Sequence, residues 1–179
     1  YAVNCGLNGM EHLRNLELSI ASNAEELYEE RIQMLKNPNG LLGSTLRSSI
    51  HSKQRMSAID SVDNNKFEEA ANLLASKNVW QTPTLILYRS YAQKSHLNPS
   101  FLLELNKLPQ QVKQKWSNEI AASDTIIDKS SVRYSNWIVD AVSKLHKNNV
   151  PFMAGTDTTS GYLSLIHIGR CRRLLTGRS

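Results

Sequence analysis

Apolar residues recur along this chain in two patterns, as short continuous runs and as stripes at helical spacing. Runs at residues 10–13, 79–87 and 150–154 predict three β-strands. The stripes follow the i, i+3, i+4, i+7 rule of amphipathic helices. One consists of Phe67, Ala70, Ala71 and Leu74, and the other of Tyr134, Trp137, Ile138, Ala141, Val142 and Leu145.

Capping residues indicate where the predicted helices begin. Residues 40–62 carry Ser, Gly, Thr and scattered charges and predict a loop with at most one short helix. Pro83 lies inside the second apolar run, so we expect that strand to be irregular there. Residues 89–149 are predicted to be helical. The predicted helix starts are Ser22 or Asn23, Asp63 or Asn64, Asn98 with Pro99, Pro109, and Ser123 or Asp124.

Strands that alternate with helices predict a parallel sheet in an α/β fold. In a parallel barrel the ends of the strands surround one mouth, where functional residues collect. Two motifs end in residues of the metal-ligand type, residues 9–12 in His12 and residues 154–157 in Asp157. We therefore expect the imidazole and the carboxylate to approach one metal ion.

The ordered motifs at residues 9–13, 79–85 and 150–157 resemble the metal-dependent amidohydrolase superfamily, in its imidazolonepropionase-like and prolidase-like branch. The resemblance covers most of residues 1–162. It implies the C-terminal half of a (β/α)8 TIM-like barrel, with a helical insertion after the penultimate strand. The three predicted strands would correspond to the sixth, seventh and eighth strands of that barrel.

The resemblance also implies the site. His12 would be a Zn²⁺ ligand, and Asp157 would be both a ligand and the catalytic base. One or two zinc ions would lower the pKa of bound water from 15.7 to about 7. Asp157 would accept the proton of that water and deliver it to the leaving nitrogen of an amide, cyclic amide or dipeptide-like substrate. The family's other ligands are expected before Tyr1, so we expect this chain alone to have little activity.

Composition narrows the class of partner. The net charge of +5 falls to +1 for residues 1–162 once the four arginines after residue 169 are set aside, which argues against nucleic-acid binding. No apolar run approaches the ~20 residues that span a bilayer.

Residues 163–173 resemble a translated sequencing adapter, so residues 163–179 are predicted to be a non-native tail that contributes no metal ligand. Cys5 is predicted to be a small core residue.

Simpler interpretations stand beside these. His12 can be an ordinary hydrogen-bonded histidine at a strand end, and Asp157 can cap a turn. The alternative function is a mostly helical, non-catalytic interaction module, which rests on the helical run at residues 99–148. The remaining predictions place Glu11 on the face opposite His12, Tyr88 and Arg89 at the substrate, His51 and His96 in solvent, and Trp80, Trp116 and Trp137 in the core.

Overall fold

The computed structural model describes residues 1–94, 97–122, 125–155 and 157. Strand β1 is Gly9–Glu11 and strand β2 is Trp80–Thr82. The helices are α1 (Leu16–Ser19), α2 (Ala24–Lys36), α3 (Gly43–Asp60), α4 (Asn64–Ser76), α5 (Leu85–Gln93), α6 (Pro99–Leu105), α7 (Gln110–Ala121) and α8 (Lys129–Lys147).

The chain forms two compact units. The first comprises Tyr1–Pro83 and Trp137–Met153. The second comprises Thr84–Asn136 and the described residues after Met153. Residues 158–179 lie outside the described part, and with them the domain boundary predicted at residue 162 and the tail predicted to be non-native.

The predicted partial (β/α)8 barrel is wrong. Of the residues that the structure describes, 66% are helical and 6% are in strands, and the sheet has two parallel strands. The predicted strand at residues 79–87 stops at Thr82, directly before Pro83, and the apolar residues from Leu85 onward form α5. The run at residues 150–154 makes only a single bridge at Phe152. Such short strands do not provide the continuous tilted ladder that closes a barrel.

The strands of the first unit run parallel. The register pairs Gly9 with Trp80, Met10 with Gln81 and Glu11 with Thr82. On the other side of β2, Phe152 forms a parallel bridge with Gln81. Helices α1–α4 connect β1 to β2, as parallel strands require a long crossover. The three segments therefore end at one edge of the small sheet.

The core of the first unit lies among α1, α2 and α3, which pack against one another. Its centre consists of small and branched side chains, which lets the helices approach closely. The chain entering α2 and the chain leaving α3 are joined by an antiparallel bridge between Ala21 and Val62. The central cluster comprises Leu18, Ala21, Ala24, Leu27 and Ala58.

The amphipathic stripes predict α4 and α8 correctly. Phe67, Ala71 and Leu74 are buried on α4. On α8 the buried apolar positions are Tyr134, Ile138, Ala141 and Leu145, and the polar Ser135 is buried as well. In the second unit, Asn98 caps α6 by accepting a hydrogen bond from the backbone N–H of Ser100 at 2.9 Å. The predicted caps Ser123 and Asp124 lie outside the described residues.

Two local predictions are wrong. The predicted loop at residues 40–62 contains α3, whose buried positions include the polar Gln54, so its apolar stripe is interrupted. Cys5 is exposed and does not belong to the core. No helix in the described part of the chain is both long and apolar enough to cross a membrane.

The N-cap of α4 provides a test of the fold. The carboxylate of Asp63 accepts hydrogen bonds from the backbone N–H groups of Asn65 at 2.8 Å and Lys66 at 3.3 Å. We expect Asp63→Ala to lower the free energy of unfolding by about 1 kcal/mol, because two N–H groups lose their acceptor. Urea denaturation measures the change. Glu68→Ala, at an exposed position of the same helix, should change stability by much less; equal effects would contradict the capping role.

Candidate active site

The candidate site begins at the turn that follows β1. The backbone N–H of His12 donates to the carbonyl of Thr82 at 2.8 Å, which extends the pairing of β1 and β2 by one residue. The backbone N–H of Arg14 then donates to the carbonyl of Glu11 at 3.2 Å, and the chain turns into α1. The half-buried imidazole of His12 therefore stands where the parallel strands end.

This turn is strained. His12, Leu13 and Asn15 have φ values of 63°, 48° and 65°, in the left-handed region. Histidine and asparagine visit that region more readily than leucine does, and the conformation costs roughly 1–2 kcal/mol per residue. The side chain of Leu13 is 1% exposed, and its burial contributes about 1.5–3 kcal/mol. Burial of Leu13 thus offsets the strain and fixes the backbone from which His12 projects.

The end of β2 is also unusual. Gln81, Thr82 and Pro83 are buried in the first unit. The next residue, Thr84, belongs to the second unit and has a φ of 47°, which a β-branched residue rarely adopts. Strained residues of this kind cluster at functional sites. The predicted irregularity of the chain near Pro83 is therefore located at Thr84 and not inside a strand.

Asp157 follows the third parallel segment. Its φ is 42° and its side chain is exposed. It belongs to the second unit, whereas His12 belongs to the first. That His12 and Asp157 share one ion thus stays a prediction from the sequence.

The described residues match a zinc site in the kind of ligand but not in number. Imidazole nitrogen and carboxylate oxygen are both normal zinc ligands, and a catalytic site needs three protein ligands beside water. In the ranges that the structure describes, no group of three or more His, Cys, Asp or Glu side chains is arranged to hold a metal ion.

Other predicted residues lie elsewhere than expected. Tyr88 and Arg89 lie within α5 and not in a loop after a strand. The Tyr88 ring packs edge-on against Tyr134, with ring centroids 5.3 Å apart, and Arg89 Nε donates to Gln93 Oε1 at 3.2 Å. Trp80 is 40% exposed, which contradicts its predicted core position. His96 lies outside the described residues.

Sequence reasoning missed a buried charged cluster beside the His12 turn. Glu17, on α1, is 4% exposed, and its Oε2 has no hydrogen-bond partner in the part of the chain that the structure describes. Burial raises the pKa of its carboxyl, while its own backbone and Arg55, Arg31 and Arg14 act in the opposite direction. Arg31 is held by Gln54 Oε1 at 3.0 Å and by Asn15 Oδ1 at 2.8 Å. The cluster joins the strained turn to α2 and α3.

His51 belongs to the same neighbourhood. It lies on α3 and is half-buried, so the prediction that it is solvated is wrong. Burial and, next, the positive charges of four arginines lower its pKa from 6.5 to about 4. The arginines are Arg31, Arg14, Arg55 and Arg47.

Comparisons with protein-family models, with curated proteins and with solved structures find no match for this chain.

Backbone strain at His12 predicts which of two variants at this position is the more stable. We expect His12→Gly to be more stable than His12→Ala by about 1 kcal/mol in urea denaturation, because glycine adopts a positive φ without a Cβ clash. The matched control is the exposed position Ser52 within α3. There Ser52→Ala should be the more stable variant by about 1 kcal/mol, since glycine weakens a helix. The same order at both positions would contradict the strained turn.

The pKa of His51 predicts a pH dependence. Because its pKa falls from 6.5 to about 4 on folding, the neutral form stabilises the protein above pH 6.5 and this contribution is lost as the pH falls toward 4. The free energy of unfolding at pH 7 minus that at pH 5 should therefore be a smaller or more negative number in His51→Gln than in the wild type. Glu17 has a raised pKa and acts in the opposite sense, but it is present in both proteins. An unchanged difference would exclude His51 as the source.

Proposed function

We propose that this chain contributes to metal-dependent hydrolysis of a C–N bond in a small amide, cyclic amide or dipeptide-like substrate, with His12 and Asp157 as metal ligands. The observation that carries the proposal is the position of His12. It follows β1 directly, on a strained turn whose backbone is hydrogen-bonded to Thr82. Residues beyond the carboxyl ends of parallel strands are the usual location of ligands in α/β proteins.

The order of the motifs supports the same conclusion. β1, β2 and the segment at Phe152 run parallel, with β2 in the middle. This arrangement places His12 and Pro83 beyond neighbouring strand ends, and the third segment leads toward Asp157. The sequence resemblance to amidohydrolases uses the same three segments. A bound zinc ion would supply activated water, and Asp157 would take up its proton.

A non-catalytic helical interaction module is the second candidate. It is favoured by the helical content and by an exposed apolar stripe on α2. Tyr28, Ile32 and Leu35 follow helical spacing and are 44%, 49% and 55% exposed. Such a stripe is typical of a surface that contacts another protein. This module needs neither His12 nor Asp157 and binds no metal through them.

Zinc titration distinguishes the two candidates. Because the sequence predicts little turnover for this chain alone, metal binding and not activity is the deciding measurement. We expect the wild type to bind Zn²⁺, and His12→Ala and Asp157→Asn each to bind at least about tenfold more weakly, since each loses a ligand.

The matched control is His146→Ala, at an exposed position in the last turn of α8. It should retain the wild-type affinity, and Ile32→Ser should do so as well. Absence of zinc binding by the wild type, or equal affinity in His12→Ala and His146→Ala, would overturn the hydrolase proposal in favour of the interaction module.

A further inference from the structure

A cleft of about 560 Å³ opens in the first unit, on the side of the sheet covered by α1 and α4. Its volume lies within the range of small-molecule sites. The wall is mainly apolar, with Val3, Met10, Leu73 and Leu74 among its residues. A few polar groups interrupt it, and they determine which ligand it can accept.

One of these groups is a buried amide. Gln81 is 0% exposed and lines the cleft at the centre of the sheet. Its Nε2 donates to the carbonyl of Val79 at 3.0 Å, whereas its Oε1 has no partner among the described residues. A buried acceptor without a donor costs about 1–3 kcal/mol. A ligand that brings an N–H or O–H group into the cleft recovers that loss.

The charged groups of the cleft lie on helix α4 and on the turn that follows β1. Arg14 and Lys66 line the cleft, and so does the exposed carboxylate of Glu69. Arg14 is one of three arginines that act on the buried carboxylate of Glu17, and its side chain also lines the cleft. Lys66 Nζ is held in place by the carbonyl of Ala21 at 2.9 Å. The cleft therefore offers cations for an anionic group and one carboxylate for a cationic group.

We propose that this cleft binds a small zwitterionic peptide with apolar side chains. The peptide carboxylate pairs with Arg14 and Lys66, its ammonium group pairs with Glu69, and its amide N–H donates to Gln81 Oε1. The apolar side chains contact Met10 and the leucines of α4. Because neither His12 nor Asp157 lines the cleft, this inference is independent of the proposed hydrolysis.

Isothermal titration calorimetry with L-leucyl-L-leucine tests the proposal, in the presence of EDTA so that metal-dependent hydrolysis cannot consume the probe. We expect one dipeptide to bind per chain. Three analogues each remove one contact: the C-terminal amide removes the carboxylate, N-acetylation removes the ammonium group, and a depsipeptide replaces the amide N–H by an ester oxygen. Each should bind at least about tenfold more weakly, since a charged or buried hydrogen bond is lost.

Substitutions in the protein show which residue makes each contact that an analogue removes. Arg14→Gln should weaken dipeptide binding at least about tenfold, and in that variant the C-terminal amide should lose little further affinity. Glu69→Gln should behave in the same way toward the N-acetylated analogue. Arg47→Gln, an exposed arginine of α3 that does not line the cleft, is the charge-matched control and should bind like the wild type. Absence of dipeptide binding at millimolar concentration, or equal affinity in Arg14→Gln and Arg47→Gln, would overturn the proposal.

Discussion

The backbone of β2 is the constraint on which the first unit depends. The N–H of Gln81 donates to the carbonyl of Pro151 at 2.9 Å, and its carbonyl accepts from the N–H of Met153 at 2.8 Å. On the opposite edge, the carbonyl of Thr82 accepts from His12. Three short segments from distant parts of the sequence are thereby joined. Closing the intervening loops costs entropy that three-residue strands do not recover alone, so the helices between them must supply the stability.

The helices that supply this stability also enclose a polar group beside the strands. Glu17 is buried on α1, in the region where α2 and α3 contribute arginines. One buried carboxylate then interacts with three guanidinium groups at once, those of Arg55, Arg31 and Arg14. Arg14 has two environments as a result. It acts on the charge of Glu17, and it also lines the cleft where a ligand carboxylate can approach.

The sequence predicted the elements whose local signals agree with their tertiary surroundings. Helix α4 has both the Asp63 cap and a regular apolar stripe, so its position was predictable. Helix α3 was missed because one of its buried positions is Gln54, whose partners, Leu27 and Arg31, come from α2. A hydrogen bond between helices cannot be recognised from the spacing of apolar residues in the sequence. The strand at residues 79–87 was overpredicted for a related reason, since an apolar run alone does not distinguish a strand from a buried helix.

In the candidate site, too, some features were predictable from local sequence signals and others depend on tertiary contacts. The position of His12 at a strand end was predictable from the apolar run before it, whereas the left-handed turn that orients it depends on the burial of Leu13 and was not. Glycine in place of His12 would remove the strain of that position. Backbone geometry alone would therefore favour glycine over histidine at position 12. Since asparagine and histidine both visit this region more readily than leucine does, the largest share of the cost falls on Leu13 and a smaller share on His12. Burial of the Leu13 side chain offsets the conformational cost at that position, whereas the half-buried His12 side chain offsets less of its own cost. Histidine at position 12 is therefore better explained by the chemistry of its imidazole than by its contribution to stability.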